Sequence, residues 1–302
     1  MGRVAKSIGS ALVLALAVVA GAVAVPSTDV GSGLDQAIDL PAQVIDHADR
    51  LDVVLPPLPT TGFDSLFIGH SFFQPVAERL AFHAPNAGFV DHTQTVVFSG
   101  GATGAPKALW DNPTKRAEIQ AVLDRGTIEL FGMTYHPDHP TIEGYQNWVN
   151  YALMRNPHTT FFVAFPWLTN PGSYSASAFA STWSSAYNTI AKGIIDDLRS
   201  QFRGVRFFAI PYGQSAAELY TRFSQGNLPD VSALVASNGT GVFRDSFGHA
   251  GFILRELATL VWLDAIYGVD LATYDFDPGY TTDLKAIATA IMDAHDPEYN
   301  LP

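Results

Sequence analysis

The sequence predicts an α/β protein, a three-layer α/β/α sandwich around a central parallel sheet of about five strands. Two observations lead there. From Ser65 onward, short apolar runs rich in Phe, Val and Ile alternate with helical patterns, and alternating β and α units of this length stack into three layers. The runs are also continuous in hydrophobicity instead of alternating with polar residues, as expected of parallel strands covered on both faces.

The elements follow in order. Arg3 and Lys6 precede an uncharged run from Ile8 to Val25 that contains Ala22-Val-Ala24, the layout of a secretory signal peptide over residues 1–24 with an Ala-x-Ala-like cleavage site. The rival reading is an uncleaved anchor, since a run of this length can span a bilayer. Residues 25–60 form a proline-broken N-terminal segment ending in Leu55-Pro-Pro-Leu-Pro59, with a short amphipathic helix over 34–51. The main domain is expected over 61–270, with a C-terminal helix and tail over 271–302 packed on it. Its strands are Ser65–Gly69, Phe89–Phe98 with a polar interruption, Ile128–Gly132, Thr159–Phe165 and Val205–Pro211. Helices fall between and after them. Asn112 caps and Pro113 opens the one that Gly126 stops; others run over 142–154, 175–202, 215–223 and 249–267, the last ended by Gly268.

The 302 residues carry 17 basic and 29 acidic side chains; without Arg3 and Lys6, 15 basic residues face 29 acidic ones, a formal charge of −14. Nucleic acid is excluded as a partner, because a phosphate backbone needs basic counter-charge. The chain has no cysteine, which removes disulfides, lipid attachment at cysteine and thiol catalysis together. Export without disulfides fits a bacterial secreted or periplasmic protein whose core is large enough to need no staples, with no membrane partner once the leader is cleaved.

The chemistry concentrates at two places. In Ser65-Leu-Phe-Ile-Gly-His-Ser-Phe-Phe73 an apolar strand stops at Gly69 and delivers Ser71 into the turn; far downstream, Phe243-Arg-Asp-Ser-Phe-Gly-His249 sets Asp245 and His249 four residues apart just before a helical run. Read alone, Ser71 would cap the helix that starts at Phe72, and Asp245 and His249 would be a turn acid and a helix-entry histidine. Read together, they supply a nucleophile, a base and the acid that orients the base.

In this order the segments resemble the SGNH hydrolases, the GDSL-type esterase and lipase family, over roughly residues 61 to 270. The family's Gly-Asp-Ser reads Gly69-His70-Ser71, and its late Asp-x-x-His reads Asp245-Ser-Phe-Gly-His249, one residue longer, which Gly248 can absorb. Phe98-Ser-Gly-Gly-Ala-Thr103 resembles the second block, with Gly100 the better alignment and Gly101 the alternative oxyanion donor. Gly132-Met-Thr-Tyr135 resembles the third, placing Thr134 where the family has an oxyanion asparagine. Either the Thr134 hydroxyl substitutes, a neighbour such as His136 does, or the oxyanion hole differs.

The resemblance implies a flavodoxin-like fold and a secreted serine hydrolase that cleaves an ester, an O-acyl group on a polysaccharide among the candidates, through an acyl-enzyme on Ser71 with His249 and Asp245, and with no metal or organic cofactor. His70, Tyr135, His136 and Trp167 stand at strand ends as substrate-binding candidates for a small-molecule or carbohydrate ester; aromatic residues there stack on sugar rings or simply line the rim. His136-Pro-Asp-His139 has metal-ligating residue types, but two prolines and no obvious third ligand make it a solvated or substrate-contacting loop. Two other readings stay open: the same fold acting on a sulfate or phosphate ester, and a non-catalytic carbohydrate-binding protein.

Overall fold

The computed structural model describes residues 57–301; the expected leader, its cleavage site and the helix over 34–51 lie outside the described residues. Five parallel strands form one sheet in the order β2-β1-β3-β4-β5: β1 (Asp64–Gly69), β2 (Thr93–Phe98), β3 (Leu130–Thr134), β4 (Thr160–Ala164) and β5 (Phe207–Ile210). That is the flavodoxin-like order. The expected fold class is therefore the observed one.

The two edges of the sheet differ. All of β3, β4 and the edge strand β5 is buried, whereas the other edge strand, β2, Thr-Gln-Thr-Val-Val-Phe, has partly exposed polar residues. Register sorts the core rings by face. Phe67 and Phe162 sit level with Gly132 across β1, β3 and β4, and both meet Trp262, with ring centroids 5.6 and 5.1 Å apart. Phe131, one residue off that row and so on the other face, meets Trp148 instead. Trp262 belongs to α8 (Phe252–Tyr267) and Trp148 to α4 (Glu143–Leu153), so the sheet is covered on both sides. With α8 go α1 (Gln74–Asn86) and α9 (Leu284–Asp293); with α4 go α2 (Pro106–Asp111) and α3 (Pro113–Leu123).

Several boundaries move. The strand expected over 128–132 runs Leu130–Thr134, so Thr134 is a strand residue and not a loop residue. Phe89 precedes β2 and stacks on Tyr267 at 4.0 Å. The long run over 175–202 is α5 (Ala176–Ala186) and α6 (Lys192–Gln201) joined by a π turn over Tyr187–Ala191, followed past β5 by α7 (Gln214–Ser224). The helix expected from His249 starts only at Phe252, because the chain before it is held in a loop. Asn112 caps α3 as its sequence suggests, accepting from the N–H groups of Thr114 and Lys115. No helix among the described residues is long and apolar enough to cross a membrane.

Both β1 and β3 end at the point where the strand order reverses. In open parallel sheets a ligand crevice lies there, outside the carboxyl ends of the strands. Ser71 follows β1, and Tyr135 and His136 follow β3.

Candidate active site

The turn after β1 is locked by His70. Its carbonyl accepts from the N–H groups of Phe73 and Gln74 at 3.0 and 2.9 Å, and its Nδ1 accepts from Phe72 N–H at 3.2 Å. A ring whose Nδ1 accepts carries its proton on Nε2, which donates to the Tyr135 carbonyl at 3.0 Å. This bond ties the end of β1 to the residue just past β3. Burial drives the His70 pKa down to about 4, against the opposing pull of the Tyr135 carbonyl, so the ring is neutral at physiological pH. His70, expected to bind substrate, thus lines the crevice mainly as its scaffold.

Ser71 does not cap the helix: α1 begins at Gln74 after Phe73, with no side-chain cap. Its Oγ lies 2.9 Å from His249 Nε2, and His249 Nδ1 lies 2.7 Å from Asp245 Oδ2. An ionised carboxylate only accepts, so Nδ1 carries the proton and Nε2 is left to accept from the serine hydroxyl. Asp245 is itself oriented, because its Oδ1 accepts from the N–H groups of Gly248 and His249 at 3.0 and 3.1 Å. Burial pushes the Asp245 pKa upward, but the hydrogen bonds from His249 and Gly248 outweigh it and hold the carboxyl below its ordinary value.

Asp245 and His249 stand on a tight loop and not on a helix. Arg244 N–H bonds to the His249 carbonyl at 2.8 Å and Gly251 N–H to the Val242 carbonyl at 2.9 Å, closing the segment 242–251 like a hairpin. Gly248, at φ 109° in a region side-chain-bearing residues avoid, makes the reversal that accommodates the extra residue. Two outside bonds fasten the loop: Trp167 Nε1–H to the Gly248 carbonyl at 2.7 Å, and Asn170 N–H to the Phe247 carbonyl at 2.8 Å.

Beside Ser71 opens a mostly apolar cavity of about 280 Å³, lined among others by Phe72, Gly101, His136, Phe165, Trp167 and Phe247. Gly101, at φ 56°, lines it; Gly100, the favoured alignment, is exposed and does not. Thr134 is also displaced from the expected place. It is fully buried at the end of β3, its hydroxyl donates to the Ala164 carbonyl at 3.3 Å, and the His70 ring stands between it and the crevice. The cause is the two-residue shift of β3, which puts His136 at the mouth. His136 Nδ1 accepts from Asp138 N–H at 3.2 Å, leaving Nε2 as the donor, and burial lowers its pKa so that the ring is neutral. Tyr135 lines the cavity with its ring stacked on Phe165 at 5.1 Å. Trp167 is stacked on Phe72 at 5.1 Å and 15°, so that ring face is already covered and not open to a sugar.

Residues missing from the sequence reading gather on the other side of Ser71. A second pocket of about 200 Å³, more polar than the cavity, is lined by Ser71, His249, Ser237, Asn238, Arg244 and Arg255 together with Pro75 and Phe252. No motif flags Arg244 or Arg255; only the closure of the 242–251 loop onto the start of α8 brings them together.

No protein-family model matches the chain, and no curated protein matches it. Among solved structures it is similar to a DUF4886 family protein from Bacteroides uniformis, 16% identical, with 76% of this chain and 95% of that one covered at a TM-score of 0.52. At this identity the likeness speaks for the fold alone. Looser superpositions reach a candidate GDSL-like lipase from Parabacteroides merdae (13% identity, 71% and 100% covered, TM-score 0.41) and the periplasmic domain of a lipopolysaccharide acetyltransferase from Salmonella ser. Paratyphi A (14% identity, 52% and 69% covered, TM-score 0.32). Neither is close enough to argue from.

Proposed function

We propose that this chain is a serine ester hydrolase of the SGNH type. The observation that carries the reading is the continuous relay from Ser71 Oγ through the His249 ring to Asp245, at 2.9 and 2.7 Å, set at the switch point of a flavodoxin-like sheet. Ser71 Oγ attacks the ester carbonyl carbon as its proton passes to His249 Nε2. The tetrahedral intermediate collapses when Nε2–H returns that proton to the departing alkoxide, leaving the acyl group on Ser71. Water then attacks the acyl-enzyme, giving its proton to His249, and collapse restores the Ser71 hydroxyl and frees the acid.

The oxyanion needs donors preorganised in a water-poor site. The Ser71 and Gly101 N–H groups have no hydrogen-bond partner among the described residues, and both residues line the cavity together with His136, whose Nε2–H is the third donor in place of Thr134. A neutral His136 keeps that donor available across physiological pH. No step calls for a metal or an organic cofactor.

The test is a fluorophosphonate probe, which reacts with an activated serine and not with an inert one. Labelling should map to Ser71 and vanish in Ser71→Ala together with turnover of short nitrophenyl esters. Undiminished hydrolysis by Ser71→Ala would sink the assignment.

A further inference from the structure

We infer that the more polar pocket beside Ser71 is the alcohol subsite and that it selects esters whose alcohol part carries an anionic group, a carboxylate or a phosphate or sulfate. This rests on the hydrolase reading and deepens it. The two hollows that flank Ser71 differ in chemistry and in which partner of the serine they touch. His249 lines the more polar pocket and does not line the apolar cavity, whereas Gly101 and His136, the oxyanion donors, line the apolar cavity and not the pocket. His249 Nε2–H must reach the leaving oxygen, so the alcohol lies on the His249 side; the acyl chain then points past the oxyanion donors into the cavity of Phe72, Phe165, Trp167 and Phe247.

The pocket's walls say what the alcohol carries. Arg255, on the first turns of α8, has no acidic side chain within ion-pair distance among the described residues, and its buried Nε has no hydrogen-bond partner. Arg244 has only Asp245, 4.0 Å away, and that oxygen is already engaged by His249. Asn238 spends its carbonyl oxygen on the N–H and hydroxyl of Thr240, at 3.2 and 2.7 Å, which leaves its NH2 as the group it can offer a ligand. In a chain with 29 acidic and 17 basic residues, two guanidinium groups left without a full acid partner in one pocket form a donor-rich anion cradle, and guanidinium matches the planar geometry of carboxylate and the oxygens of phosphate and sulfate.

The experiment compares butyrate esters with matched phenolic leaving groups: phenyl butyrate, 3-(butyryloxy)benzoate and 3-(butyryloxy)phenyl phosphate. Wild-type protein should favour an anionic ester over the neutral one by on the order of 10- to 100-fold in kcat/KM, the size of a charge-assisted hydrogen bond, and whichever anionic ester leads identifies the group. Arg255→Gln should bring the ratio close to one, and Arg244→Gln, at an exposed position, should lower it by a smaller factor. Equal turnover of neutral and anionic esters by wild type overturns the subsite and leaves the hydrolase intact. Calorimetric titration with 3-hydroxybenzoate and 3-hydroxyphenyl phosphate separates the two claims. Binding that Arg255→Gln weakens, in a protein that hydrolyses none of the esters, supports the anion site and removes the hydrolase reading. No binding of either anion overturns the site.

Discussion

The two halves of the candidate site are built differently. The Ser71 half is an extension of the sheet: β1 is buried from Ser65 to Gly69, and the turn beyond it is locked by four bonds from His70, one of them to the residue just past β3. The half with Asp245 and His249 is a surface loop, closed on itself and fastened to the body by the Trp167 and Asn170 bonds. Side chains there stay partly open to solvent, 22% for His249 and 41% for Asp245. Changing the loop half should therefore cost activity with little stability, and changing the sheet half should cost stability as well.

The largest expected effect is on the loop. His249→Ala should lower kcat by about 10⁶-fold, as loss of the base in a unit of this kind does. Asp245→Asn should cost about 10⁴-fold. Its Oδ1 can still accept from Gly248 and His249, so the loop keeps its shape, but an NH2 facing Nδ1 enforces the wrong tautomer. Thermal unfolding of both variants should stay within a few degrees of wild type. A large drop in melting temperature for Asp245→Asn would mean that the loop is a structural keystone, and the contrast between the halves would fail.

The next effect falls at the junction of the halves. His136→Phe keeps a ring at the cavity mouth and removes Nε2–H, and it should slow acylation by about 10²- to 10³-fold with little change in KM, as loss of one oxyanion donor does. Thr134→Val should leave acylation near wild type, because that hydroxyl bonds to the Ala164 carbonyl behind His70. The reverse pattern in single-turnover rates would restore Thr134 as the donor.

How much of this the sequence discloses depends on the distance over which each feature is determined. The five apolar runs are local, and four of them are continuous while the second, Phe89–Phe98, is broken by polar residues; together they give the strand count and the layers. The order of Ser71, Asp245 and His249 is equally plain, since a strand that stops at Gly69 and an acid-base pair before a helix are short-range patterns. Ile128-Glu-Leu reads as the start of a strand, but registered pairing with β1 and β4 begins at Leu130; the Glu129 N–H to the Asp64 carbonyl and the Thr160 N–H to the Glu129 carbonyl, both at 2.8 Å, lead the chain into the sheet, and the strand runs on to Thr134. Two residues of register decide which side chain past β3 meets the crevice. Arg244 and Arg255 carry no local signal, because the pocket between them exists only once the loop closes on α8.

The clearest stability effect belongs to His70. In the fold its pKa is driven to about 4, chiefly by burial and also by the neighbouring His136 and His249, from 6.5 in a free side chain. Between those values the unfolded chain binds a proton at this position and the folded chain does not. Stability therefore rises with pH across that window and is lost as pH falls from about 6.5 towards about 4, by on the order of 3 kcal/mol in all. Below pH 4 both states are protonated, and above 6.5 neither is, so this group adds no slope in either range. Urea unfolding at fixed ionic strength from pH 4 to 8 reads it directly. His70→Gln can still donate to the Tyr135 carbonyl but cannot titrate, and it lacks the Nδ1 acceptor for Phe72 N–H. The variant should be less stable than wild type at pH 8, with the gap narrowing as pH falls. Other buried histidines, His92 and His295 among them, tilt both curves alike and cancel in the difference. Parallel curves would show that the His70 ring takes up its proton without disturbing the turn, and the sheet-borne half would then be no more rigid than the loop.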